Sequence, residues 1–124
     1  MQVESSHIGN PFREYLRYKG WHVEKTHGSQ YQEGFPDLYC MHPKYDPKWV
    51  ETKVLRGGDF SFTVAQLAKF PVWIAHGVKI WIIYGTDFRG PAGKLALERA
   101  YQTLFNPPNA AYMLNPMMRR ELLR

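Results

Sequence analysis

Two strand-like runs separated by a short polar break constrain this chain most. The first, opened by Gly34, is Phe35-Pro36-Asp37-Leu38-Tyr39-Cys40-Met41, and the second is Trp49-Val50-Glu51-Thr52-Lys53-Val54. Both are rich in aromatic and β-branched residues, with Pro43, Asp46 and Pro47 between them as turn formers. Side chains of a strand alternate faces with a period of two. Glu51 and Lys53 therefore share a face with Trp49. Val50, Thr52 and Val54 share the other, the face expected to pack. An antiparallel hairpin of residues 37–42 and 48–54, centred near Tyr45, sets Asp37 opposite Lys53 and Tyr39 opposite Glu51. Asp37 and Glu51 become diagonal neighbours, roughly 7–8 Å apart at the backbone. A divalent cation between them would satisfy both charges. Magnesium suits such a site, because one or two carboxylates with waters and phosphate oxygens are enough to hold it.

An Asp followed by Glu-x-Lys on neighbouring strands resembles the PD-(D/E)XK nuclease superfamily. Gly34-x-Pro36-Asp37-Leu38, Glu51-Thr52-Lys53 and a downstream Gln66 look most like its VRR-NUC branch, close to the Holliday-junction resolvases. The resemblance covers about residues 10–85. It implies an α/β fold with a restriction-endonuclease-like αβββαβ core, and a Mg²⁺-dependent endonuclease, with Mn²⁺ able to substitute. The substrate it implies is DNA, cut structure-selectively at branches or junctions, or nonspecifically. Asp37, Glu51 and the Thr52 backbone carbonyl would hold the metal, and Lys53 and Gln66 would join the acids in catalysis. Lys25, His27, Arg56 and Lys69 are the candidate nucleic-acid contacts. Relatives often add a glutamate on the first helix. Glu14 lies on that helix but projects from its polar face. Glu4 is the rival, with Gly9-Asn10-Pro11 interrupting any continuous helix between the two. That open position motivates an alternative from another class, a catalytically inactive nucleic-acid-binding module on the same scaffold.

At 124 residues the chain is expected to form one domain, 1–124, able to bury a core without staples. A single cysteine, Cys40, excludes an internal disulfide framework and a cysteine-based zinc site. No apolar run approaches the ~20 residues that span a bilayer, and no signal-peptide pattern opens the chain. A cytoplasmic protein is the expectation. The net charge is +5. Residues 60–124 carry eight basic and three acidic residues while the rest balances, so the excess lies in the C-terminal half. A one-sided basic excess suits a polyanion partner.

Taken in order, residues 1–10 are polar and poorly patterned. Asn10-Pro11 reads as an N-cap and first helical position, Phe12, Tyr15, Leu16 and Lys19 form one helical face, and Gly20 ends the helix. Residues 21–26 alternate as a strand. Thr63 with Gln66 three residues on reads as a capping box. The helix that follows places Val64, Leu67, Phe70, Pro71 and Ile74 at helical spacing, with Pro71 expected to kink it. Residues 78–84 are apolar on both faces, hence a central or covered strand. A helical extension over about 92–124 ends in a Met- and Leu-rich segment, the candidate contact of a homodimer.

Overall fold

The computed structural model describes residues 3–26 and 32–124. Four strands form one mixed sheet in the order β1 (His22–Lys25), β2 (Leu38–His42), β3 (Tyr45–Val54), β4 (Ile80–Gly85). The first three form an antiparallel meander, and β4 runs parallel to β3. Helix α1 (Asn10–Tyr18) and α3 (Gly90–Thr103) cover one face. There Phe12, Leu16, Tyr101 and Leu104 pack on Val23, Cys40, Val50 and Ile83. Helix α2 (Val64–Ala75), with α4 (Ala110–Met113) and α5 (Pro116–Leu123), serves the other face, where Phe70, Ala110 and Met113 meet Ile80 and Ile82. No helix among the described residues is long and apolar enough to cross a membrane.

The hairpin forms, but in a different register. Leu38 pairs with Val50 and Tyr39 with Trp49, two residues away from the expected alignment. Continuing that register sets Asp37 opposite Glu51 rather than Lys53. The turn falls at Pro43-Lys44, and Asp46 and Pro47 lie inside β3 instead of the loop. A slip of two residues preserves the face of every side chain. Trp49, Glu51 and Lys53 thus do share a face. It is covered by α2, so Glu51 and Lys53 are buried rather than solvated.

The first helix departs further. Residues 3 and 4 are already helical, and a π turn, Ser5–Gly9, runs without a break into α1. Asn10 is not a cap: its N–H donates back to the Ser5 carbonyl across the wide turn. Proline inside a helix leaves the carbonyl four residues earlier without a donor. For Pro11 that carbonyl belongs to His7, and the Phe88 N–H donates to it at 2.8 Å. The wide turn and the borrowed donor carry the helix through Gly9-Asn10-Pro11, which the sequence reads as a break.

Helix α2 begins at the expected capping box and runs through Pro71 to Ala75. Its buried side is Gln66 and Phe70, whereas Val64 is 86% and Leu67 50% exposed. Periodicity could not choose a face here, because Lys69 is the only charged residue in α2. Strand β4 is an edge strand, covered on both faces. Its outer edge is closed by the Asn109 side chain, which accepts from the Ile82 N–H at 2.6 Å and donates to the Ile82 carbonyl at 3.0 Å. The last segment is two helices, not one, broken at Asn115-Pro116.

Candidate active site

The site lies where β2 ends and β3 continues. Beyond Val50, β3 keeps its parallel partner β4 but, among the described residues, has no strand on its other side. The N–H groups of Thr52 and Val54 face that vacated side and need acceptors. Both are met by carboxylates: Asp37 Oδ2 accepts from the Thr52 N–H at 3.1 Å and from its hydroxyl at 2.7 Å, and Glu4 Oε2 accepts from the Val54 N–H at 3.2 Å. A strand residue directs its N–H and C=O to the same edge, so the Thr52 carbonyl opens there too.

Asp37 is positioned by what precedes it. Gly34 has φ +82, and a Cβ there would meet the Ala65 carbonyl oxygen at 2.7 Å. Only glycine lets the chain approach the start of α2 so closely. Phe35 packs edge-on against Trp73 of α2, with ring centroids 4.8 Å apart. Thr26 hydrogen bonds both ways around the next peptide: its hydroxyl donates to the Pro36 carbonyl, and its N–H to the Asp37 carbonyl at 2.8 Å.

Glu51 reaches the same place from the α2 side. It is 1% exposed and accepts from the Asp37 N–H at 3.1 Å and from Gln66 Nε2 at 2.8 Å. Lys53 Nζ donates to Gln66 Oε1 at 2.7 Å and stands 3.4 Å from Glu51 Oε2. Gln66 Oε1 also accepts from the Thr63 N–H, and Thr63 Oγ1 from the Gln66 N–H. The capping role and the site role of Gln66 are therefore one arrangement. The helix cap fixes the carboxamide that holds the Glu51–Lys53 pair.

Carboxylate oxygens of Glu4, Asp37 and Glu51 all lie within 4.8 Å of one another. Burial and the neighbouring Asp37 push Glu51 well above the usual carboxylate range, against the pull of Lys53 and Gln66. Burial also raises Glu4, with Asp37 adding to it and Lys53 and the Val54 N–H opposing. Three acids, one deeply buried, share one adjacent ammonium, with Arg56 pulling more weakly on Glu4. An all-oxygen donor set in this state fits a hard divalent cation.

Among the sequence candidates, the structure brings Asp37, Glu51, Thr52, Lys53 and Gln66 together, and Glu4 with them. Glu14 is exposed and lines a separate hollow of about 840 Å³ between α1 and α3, so it does not join Glu4, Asp37 and Glu51. A signal for Glu4 was present: Ile8, Phe12 and Leu16, all fully buried, continue its spacing of four along the helix. Lys25 lines the cleft beside Asp37, and Arg56 lines the one beyond Glu4. Lys69 turns its Nζ over the Phe35 ring at 5.6 Å. His27 lies outside the described residues. Arg13, which sequence reading passed over, lines the same cleft as Asp37 and Lys25. Comparison with protein-family models, curated proteins and solved structures gives no match.

Proposed function

We propose that this chain is a Mg²⁺-dependent nuclease that hydrolyses DNA phosphodiester bonds, acting on branched structures or without sequence preference. One observation carries the reading. Three carboxylates converge within 4.8 Å at an open strand end, with a buried lysine 3.4 Å from one of them. Glu4, Asp37 and Glu51 would hold the ion, with the Thr52 carbonyl on the same edge. When bound, it would lower the pKa of a water and polarise the phosphate.

The protein's own groups do the rest. Asp37 and Glu4 are each held by a β3 N–H, so both present fixed acceptors to the cleft. Gln66 fixes Lys53 and Glu51 at once, which holds the ammonium as a point charge where negative charge grows on the phosphate. Arginine would substitute poorly, since its planar fork differs from a compact ammonium in shape and hydration. The binding-module alternative drew on the open first-helix position, and Glu4 at the cluster removes that motive. The homodimer belongs to the same proposal, with Met117 (76% exposed) and Leu122 (52% exposed) of α5 as its candidate contacts.

The test is cleavage of a panel: supercoiled plasmid, linear duplex, single strand, flap and four-way junction, in Mg²⁺, Mn²⁺ or EDTA. Metal-dependent cutting by the wild type, lost in Asp37→Ala and Lys53→Ala, is the expected result. Intact DNA binding with no cutting of any substrate would overturn the reading in favour of the binding module.

A further inference from the structure

Two clefts meet at Glu4. One, of about 550 Å³, is walled by Glu4, Arg13, Lys25, Asp37 and Thr52. The other, of about 450 Å³, is walled by Glu4, Val54, Arg56, Asp59 and Phe60. Glu4 therefore sits where a channel in two parts crosses the end of β3, with Asp37 in the first part and Glu51 buried behind both. Each part has its own cation from a different element: Arg13 on α1 and Lys25 at the end of β1 in the first, Arg56 in the turn after β3 in the second.

These cations are available. Among the described residues, no carboxylate lies within 4.0 Å of Arg13, Lys25 or Arg56, whereas Arg89, Arg119, Arg120 and Arg124 are all ion-paired. Four of the eight basic residues in the C-terminal half, where the linear count places the excess, are thus engaged internally. Asp59, the acid inside the second cleft, is held by Arg119 at 2.9 Å and Arg120 at 3.6 Å, which offsets its repulsion of a phosphate. Arg13 also donates to the Asn10 carboxamide oxygen one turn earlier, which steadies the guanidinium at the cleft wall.

We infer that the nucleic-acid backbone crosses the molecule over Glu4, held by Arg13 and Lys25 on one side and by Arg56 on the other. This rests on the nuclease reading and adds the path of its substrate. Recognition along this path is of phosphates, not bases. The tip of the β2–β3 hairpin is packed on the protein itself, with Tyr45 stacked on Trp21 at 5.7 Å and set edge-on to Phe105 at 5.1 Å.

The test is fluorescence anisotropy of labelled single-stranded and duplex oligonucleotides of two unrelated sequences, with Ca²⁺ in place of Mg²⁺, over a range of salt. The triple variant Arg13→Ala/Lys25→Ala/Arg56→Ala is compared with a control of equal charge change, Arg17→Ala/Lys79→Ala/Lys94→Ala. Each lost phosphate contact flattens the dependence of log K on log salt by about 0.7 for a single strand and about 0.9 for a duplex. The cleft variant should flatten it by about 2 to 3 in total on both sequences alike, and the control by much less. Equal effects of the two variants, or an effect confined to one sequence, would overturn the path. If the cleft variant binds like the wild type while the wild type still cuts, only the path fails. If the slope flattens as expected but nothing cuts, only the nuclease reading fails.

Discussion

The two halves of β3 obey different rules. From Tyr45 to Val50 the strand is paired with β2, joined on its other side by β4 at Trp49 and Val50, and Val50 is fully buried against α1 and α3. From Glu51 to Val54 it is paired on one side, yet all four residues are buried. The first half satisfies its backbone with neighbouring strands. The second satisfies it with carboxylates, and this gathers acids that would otherwise repel. A strand that outruns its neighbour thus becomes a template for a charged site, because orphan N–H groups select acceptors.

The sharpest break in this comparison is Glu4→Ala. It removes the acceptor of the Val54 N–H and one acid of three, and cleavage should fall to background. Gln66→Ala comes next. Loss of the carboxamide that holds both Glu51 and Lys53 should lower metal affinity or activity about 10–100-fold, read as a Mg²⁺ titration beside a rate. Val50→Ala should act oppositely: about 2 kcal/mol of stability is lost with its two methyl groups, while the Mg²⁺ affinity of the folded protein is kept, measured by denaturant unfolding with and without the ion.

The pH dependence of stability sharpens the contrast further. Glu51 and Glu4 are raised in the folded state, so folding favours their protonated forms. Their stability is fully present below the ordinary carboxyl pKa near 4.5 and is lost as pH rises through their folded values. Each fully titrating proton costs about 1.4 kcal/mol per pH unit. The lowered Asp59 and Asp87 work the other way, but their contribution is complete once pH exceeds the ordinary value near 3.8. In EDTA the melting temperature should therefore fall above that point. The stabilisation by Mg²⁺ should grow with pH, since binding releases the protons. A Mg²⁺ effect that shrinks with pH would show that the ion does not bind these acids. The smallest effect belongs to Glu14→Ala: stability within about 0.5 kcal/mol of wild type and unchanged cleavage, because the side chain faces another hollow.

Sequence reading grouped the candidate side chains better than it placed them. The faces of β3 were legible because a period of two survives a slip of two residues. The register was not, because three turn formers, Pro43, Asp46 and Pro47, compete for one turn. Glu4 was hidden by Gly-Asn-Pro, which ordinarily ends a helix. The donor that lets this helix continue comes from Phe88, far along the chain. The inner face of α2 was illegible for the opposite reason, too much apolar surface rather than too little. The charge count could not show that four of the eight C-terminal basic residues are ion-paired, because it is blind to pairing.

The Asn109 carboxamide on β4 has a consequence for how copies of this chain meet. A sheet grows when a new strand satisfies the exposed donors and acceptors of an edge. At Ile82 both are already occupied by one side chain that mimics the missing strand. A fifth strand, whether from another molecule or from a misfolded stretch of this one, must first evict it. Asn109→Ala should leave the fold in place and open that edge to fibrous or swapped association, a liability that no enzymatic assay would reveal.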